Sequence, residues 1–250
     1  MKGSFSRINA LAGRNMKEIL RDPLSLVFII GLPLVMEILF YLIFHKLTSQ
    51  FEMRYLAPGI VAFSQAFLSL FVGLLIANDR GTTFLTRLYV SPARSHEFIF
   101  AYALPILPVV LVQSVLFFLV GGLFDSSILS ASIIPAVLIS LVTSLFFISA
   151  GILVGSISNE KSVGGIASII ITGQSILSGM WFPIDQLGGG FMAVMNALPF
   201  RSATLLVQNT MNGIGDFTND FLKPLLIVLA YTVLVFILAI VIFMRRMRSK

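Results

Sequence analysis

The chain has 250 residues, no cysteine, 57% apolar residues, only 11% charged ones, and a mean hydropathy of +0.98. A typical soluble domain carries about 25% charged residues, so a soluble enzyme and a disordered chain are both excluded. The missing cysteines remove disulfides, thiol catalysis and cysteine metal sites, and the net charge of +6 in so apolar a chain points to anionic lipid rather than nucleic acid. The apolar runs are continuous and about 20 residues long, not the alternating segments of a β-barrel. The fold class expected is an all-α polytopic membrane protein.

Segment 4–21 comes first. Phe5, Ile8, Leu11, Ala12, Met16, Ile19 and Leu20 recur at helical spacing, with Arg7, Arg14, Lys17, Glu18 and Arg21 mostly on the other face. This reads as an amphipathic helix in the inner membrane interface; the plainer reading is a solvated basic tail. Asp22-Pro23 breaks the helix and turns the chain into the membrane. No cleavable signal peptide is expected, because the first long apolar run starts at Leu24 and can span.

Six stretches are long enough to cross the hydrocarbon core: 24–44, 55–77, 99–122, 131–155, 163–181 and 224–244. Placing the N-terminus inside puts 13 of the 17 lysines and arginines on the inner segments, so both termini are expected in the cytoplasm. The division is residues 1–23 as interfacial helix, 24–244 as the six-helix membrane domain and 245–250 as a basic tail.

Glu37 is the single ionisable residue within a span, roughly 20 Å in at about 1.5 Å per residue. A charge there costs at least about 2.5 kcal/mol unless it is protonated or paired. It is either a substrate or proton contact, or a carboxyl bonded to Tyr41 or Gln113. Pro33, Pro105, Pro108 and Pro135 fall in or near span starts and are expected to kink helices. Gly151 and Gly155 form a Gly-x-x-x-Gly match, a weak signal in a glycine-rich membrane chain.

Segment 78–98 is longer than a linker needs to be. Phe84, Leu85, Leu88 and Tyr89 are apolar, Thr82, Thr86 and Arg87 polar, and Pro92 stops the pattern. It either presents a short helix to something on the cytoplasmic side or anchors the loop in the inner leaflet. In segment 182–222, a Gly188-Gly189-Gly190 turn leads to Phe191, Met192, Val194, Met195 and Leu198, a run too short to span. A re-entrant or interfacial outer helix is expected there, with Trp181 and Phe182 at the headgroups.

Soluble-type chemistry finds no motif. The nearest phosphate loop, residues 155–162, puts Glu160 where a glycine is required. His96-Glu97 lacks the second histidine of a zincin helix, and the only other histidine is His45, so neither a metal site nor a Ser-His-Asp triad is credible. No Gly-x-Ser-x-Gly elbow occurs.

The layout resembles the ABC-2 type family of ATP-binding-cassette transporter permeases. The resemblance rests on residues 17–23 before a proline-bearing first span, Tyr55-Leu56-Ala57-Pro58-Gly59 opening the second, Arg80-Gly81-Thr82 leading through residues 84–88 to Ser91-Pro92, and Gly179-Met180-Trp181-Phe182-Pro183 followed by Leu198-Pro199. Family members often carry Glu just before Gly-Thr; this chain has Asp79-Arg80. The resemblance implies two permeases pairing as homodimer or heterodimer in a cell membrane, each resting on a separate ATPase subunit that holds ATP and Mg. This chain would then be no enzyme and carry no cofactor. It further implies a coupling helix formed by Arg80, Gly81, Thr82, Phe84, Leu85, Arg87, Leu88 and Pro92, and a second contact through Lys17, Glu18 and Arg21 on the N-terminal helix. Drug-like or lipid-like cargo is the family analogy, and Glu37 is the candidate on its path. A self-contained channel or secondary transporter is the alternative; that class usually shows more intramembrane charges or repeated broken helices.

Overall fold

A computed structural model describes residues 2–81, 95–182 and 187–248, and those residues form helices with no strand among them. The N-terminal helix α1 (Lys2–Arg21) is followed by the first span α2 (Pro23–Phe44), then α3 (Met53–Gly81). After the 82–94 segment come α4 (Ser95–Ala103) and α5 (Ile106–Phe124), which together make one candidate span, Glu97–Phe124. Then follow α6 (Ile133–Ile157), α7 (Glu160–Leu177), α8 (Gly189–Ala197), α9 (Pro199–Asn212) and α10 (Lys223–Arg248).

Five helices among the described residues are long and apolar enough to cross a membrane, and six if α8 and α9, bent by 79° at Leu198–Pro199, count as one. The expected fifth span, 163–181, falls outside that set. Its helix α7 spends its first turns on Glu160, Lys161, Gly164 and Gly165, and carries Gln174 further on. The expected short run after the triple glycine is α8, and Pro199 at the first position of α9 sets the bend.

The core is built on α3 and α6, whose spans are 83% and 72% buried, while α2 and α10 are only 17% and 11% buried. Glycine permits the central contact. A Cβ on Gly151 would come within 2.8 Å of the Ser69 carbonyl oxygen, and one on Gly155 within 2.7 Å of the Gly73 carbonyl oxygen. The Gly-x-x-x-Gly match, weak as a sequence signal, is therefore the seam on which the two central helices touch backbone to backbone.

Polar side chains fix the register of that core. Gln65 donates to the Ser140 carbonyl at 2.9 Å and accepts from Thr143 at 2.9 Å; the Ser114 and Ser140 hydroxyls lie 3.0 Å apart; Gln113 donates to Ser64 at 3.1 Å. These bonds spare most of the group the cost of an unpaired polar atom in hydrocarbon, Gln113 Oε1 being left without a partner among the described residues.

Pro58 sits inside α3 and has no N–H, so the Arg54 carbonyl loses its helical donor. Asn212 of α9 donates to that carbonyl at 2.8 Å, and Gln208 donates to the Tyr55 carbonyl at 2.9 Å. The bent pair is thereby pinned to the start of α3. The chain reaches it through Gly179, whose φ of 73° is a conformation that glycine adopts without strain. Trp181 does not stand alone as a headgroup anchor. It packs edge-on to Phe40 at 4.7 Å and Phe63 at 5.7 Å, and its indole N–H donates to the Ser175 hydroxyl at 3.1 Å.

Candidate functional site

Two buried carboxylates stand at the two roots of segment 82–94. Asp79 ends its N-terminal root, two residues from the last residue of α3, and is 2% exposed. Glu97 opens its C-terminal root in the first turn of α4 and is 1% exposed. A buried carboxylate must be paired and hydrogen-bonded to persist. Both pairs come from α1.

Arg14 grips Asp79 with both terminal nitrogens, at 2.7 and 2.6 Å, and the Tyr102 hydroxyl donates to the same carboxylate at 2.7 Å. Arg7 grips Glu97 through Nε at 3.0 Å and a terminal nitrogen at 2.7 Å, and the Ser4 hydroxyl donates to Glu97 as well. Both are the two-pronged guanidinium–carboxylate geometry that gives the strongest ion pairs. Asn15, 2% exposed, donates to the Ala101 carbonyl at 3.0 Å and completes the contact. Arg7 and Arg14 are seven residues apart, two turns, and so share a face of α1. That face turns toward the bundle. Arg7 and Arg14 reach Glu97 and Asp79 while their own side chains stay 38% and 36% exposed, and Phe5 and Leu20 are 66% and 58% exposed.

Lys17 and Arg21 stay exposed on α1, beside an open groove also lined by Arg14 and Glu18. Glu18 accepts from Arg14 at 3.0 Å. Burial pushes the Glu18 carboxyl upward against the opposing pull of Arg14, while the hydrogen bonds to Asp79 hold the Arg14 guanidinium above its ordinary value. Asp22 caps the start of α2, accepting from the Leu24 N–H at 3.1 Å and from the Ser25 hydroxyl, which holds its carboxyl below the usual range.

Of the sequence-derived coupling residues, Arg80 and Gly81 are described. Thr82, Phe84, Leu85, Arg87, Leu88 and Pro92 lie outside the described residues. Arg80 donates to the carbonyls of Gly155, Ser156 and Ser158 at 2.7, 2.5 and 3.2 Å. It satisfies the open carbonyls at the end of α6 and ties that end to the root of the segment.

Glu37 lies apart from this cluster. It is fully buried, and neither carboxyl oxygen has a hydrogen-bond partner among the described residues. The expected bond to Tyr41 or Gln113 is absent: Gln113 turns to Ser64, and Tyr41 stacks on His45 at 4.5 Å. Gly121 is what admits the carboxyl, since a Cβ there would stand 3.1 Å from Oε1. No group of three or more potential metal ligands occurs among the described residues.

Sequence reasoning missed Arg7, Arg14, Asn15 and Tyr102. The available signal was arginine at Arg7 and Arg14 on the same side of α1 as Leu11, together with lone acids at the ends of two apolar spans.

The fold and the clamped helix define a multi-pass helical membrane protein whose N-terminal helix is tied to its spans by buried ion pairs. A family model described as ABC-2 type transporter matches residues 6–212, more than four-fifths of the chain, so the chain belongs to the ABC-2 type transporter family and is a membrane permease of that kind. No curated protein matches the sequence.

Proposed function

We propose that the chain is the transmembrane subunit of an ATP-driven exporter. It pairs with a second permease chain, identical or not, and draws its energy from a separate ABC ATPase subunit that binds ATP and Mg. Both termini lie in the cytoplasm, as the distribution of 13 of the 17 basic residues favours. Segment 78–92 supplies the coupling helix, through Arg80, Gly81, Thr82, Phe84, Leu85, Arg87, Leu88 and Pro92, seated in a groove of the ATPase. Lys17, Glu18 and Arg21 form the second contact. The cargo is drug-like or lipid-like, and Glu37 lies on its path.

The observation that supports this reading best is the clamp. A force applied to segment 82–94 reaches Asp79 at one root and Glu97 at the other, and both are held by arginines on one face of α1. α1 in turn leads through the Asp22 cap into the first span. The ATPase drives transport by binding one permease conformation better than the other.

The test is purification from the native host in mild detergent, followed by reconstitution with whatever ATPase accompanies the chain. A stoichiometric ATPase is expected. A lone folded chain, even after crosslinking in intact membranes, refutes the reading in favour of a channel or secondary transporter. In the reconstituted complex, Leu88→Asp leaves insertion and ATP hydrolysis intact and abolishes transport, and wild-type transport would sink the coupling role. Glu37→Gln alters cargo preference or transport rate; an effect confined to folding yield assigns Glu37 to packing.

A further inference from the structure

A second site lies on the opposite side of α4 from the clamp. A cleft of about 290 Å³ opens between α4, α5, α6 and α10, beside the helix break at Leu104–Pro105. Its depth follows from the helix rise. Leu104 lies about 10 Å along the third span from Glu97, and Ser149 about 12 Å along α6 from Ile157, so the cleft sits within the hydrocarbon rather than at the headgroups. Its mouth is open and apolar, with Phe100, Leu104 and Val233 at 47%, 41% and 56% exposure.

The lining excludes polar ligands. It holds two hydroxyls, and both protons are already given to the preceding turn of their own helices: Ser149 to the Leu145 carbonyl at 2.6 Å and Thr232 to the Val228 carbonyl at 2.7 Å. Everything else in the walls is hydrocarbon or aromatic, and Phe100 meets Phe236 at 6.1 Å across one side. Apolar cavities of about 150 Å³ stay dry and take up benzene; this one has nearly twice that volume and is open at a depth where the surrounding solvent of a membrane protein is hydrocarbon. We infer that the cleft is a binding site for one acyl chain of a bilayer phospholipid. The neighbourhood gives such a lipid a consequence. Ala101 of α4 is held by Asn15 of α1 on one side, while Phe100, Ala103 and Leu104 wall the cleft on the other. A chain seated there presses α4 against α1 and supports the clamp.

The test reads lipid, not transport. Wild-type protein, delipidated in mild detergent and measured by native mass spectrometry, is expected to keep one phospholipid per chain. Ala103→Trp fills the cleft and loses it; Val233→Trp plugs the exposed mouth without disturbing buried packing and loses it too. Leu111→Trp, outward-facing and beyond the cleft, retains it. In proteoliposomes, a phosphatidylcholine with a photoreactive tail is expected to label Leu107 and Ser149 in the wild type and in neither plugged variant. Equal lipid retention in folded plugged and control variants overturns the inference, as does labelling spread evenly over the outward-facing helices. Displacement of the label by a small aromatic solute but not by competing phospholipid assigns the cleft to cargo and overturns it as well.

Discussion

Removing Arg14 should release the N-terminal helix, and the size of the effect can be worked out. Arg14→Ala takes two charge-assisted hydrogen bonds, at 2.7 and 2.6 Å, from a carboxylate that is 2% exposed. Breaking a fully buried pair costs about 3–5 kcal/mol, whereas an exposed pair is worth about 0–1 kcal/mol. The Asp79 side chain is buried but the Arg14 side chain is 36% exposed, which sets the expectation between these limits, at about 2–3 kcal/mol. At 1.4 kcal/mol per factor of ten, undocking of α1 becomes about 30–150 times more frequent. The chain contains no cysteine, so one introduced thiol reports without background. Met16, half-buried against the core, is the position of choice. The alkylation rate of Met16→Cys in membranes should rise by that factor on adding Arg14→Ala. Asp79→Asn combined with Arg14→Ala should cost less than the sum of the two single changes. An unchanged alkylation rate, or strict additivity, refutes the clamp.

Two further outcomes test the packing and the first-span cap. Gly155→Val places side-chain carbon against the Gly73 carbonyl and Ile76, and overpacking should lower stability by about 1–3 kcal/mol or more, read as the thermal midpoint in detergent; Gly164→Ala, with open space around it, should be neutral or stabilising by up to about 1 kcal/mol. Asp22→Ala removes the cap of α2 at about 0.5–2 kcal/mol. Because the folded state holds the Asp22 carboxyl below its ordinary value of about 3.9, its contribution is complete above that value and lost as pH falls through and below it. The midpoint measured from pH 7 down to 3 should therefore fall less steeply in Asp22→Ala than in the wild type.

Local pattern carried far in this chain. Helical spacing between residues 4 and 21 is met by α1 over Lys2–Arg21, and the Asp22-Pro23 break is met by a capped helix start. Five of the six expected apolar runs coincide with helices able to span. What pattern could not supply was pairing across distance. Arg7 finds Glu97 90 residues away and Arg14 finds Asp79 65 residues away, and nothing in either neighbourhood names the other. The same limit explains the glycine seam, since Gly151 and Gly155 acquire meaning only from the backbone at Ser69 and Gly73 that they meet. Around 163–181 the helix begins earlier, at Glu160, and its charged first turn together with the buried Gln174 lowers the mean hydropathy of the whole element, which packs on α3.

The uneven burial of the helices also sets where this sequence can drift over evolutionary time. Along α2 and α10, most side chains meet few neighbours within the chain, so one branched aliphatic can replace another with little consequence for its own packing, and these segments should diverge quickly between relatives while keeping their apolarity. Along the facing surfaces of α3 and α6, each position is defined by a neighbour, and at the two seam glycines by a carbonyl that leaves no space for a methyl group. Substitutions there become acceptable only when both helices change together, so two permeases of this kind can look dissimilar over their outer helices and still share one inner pair.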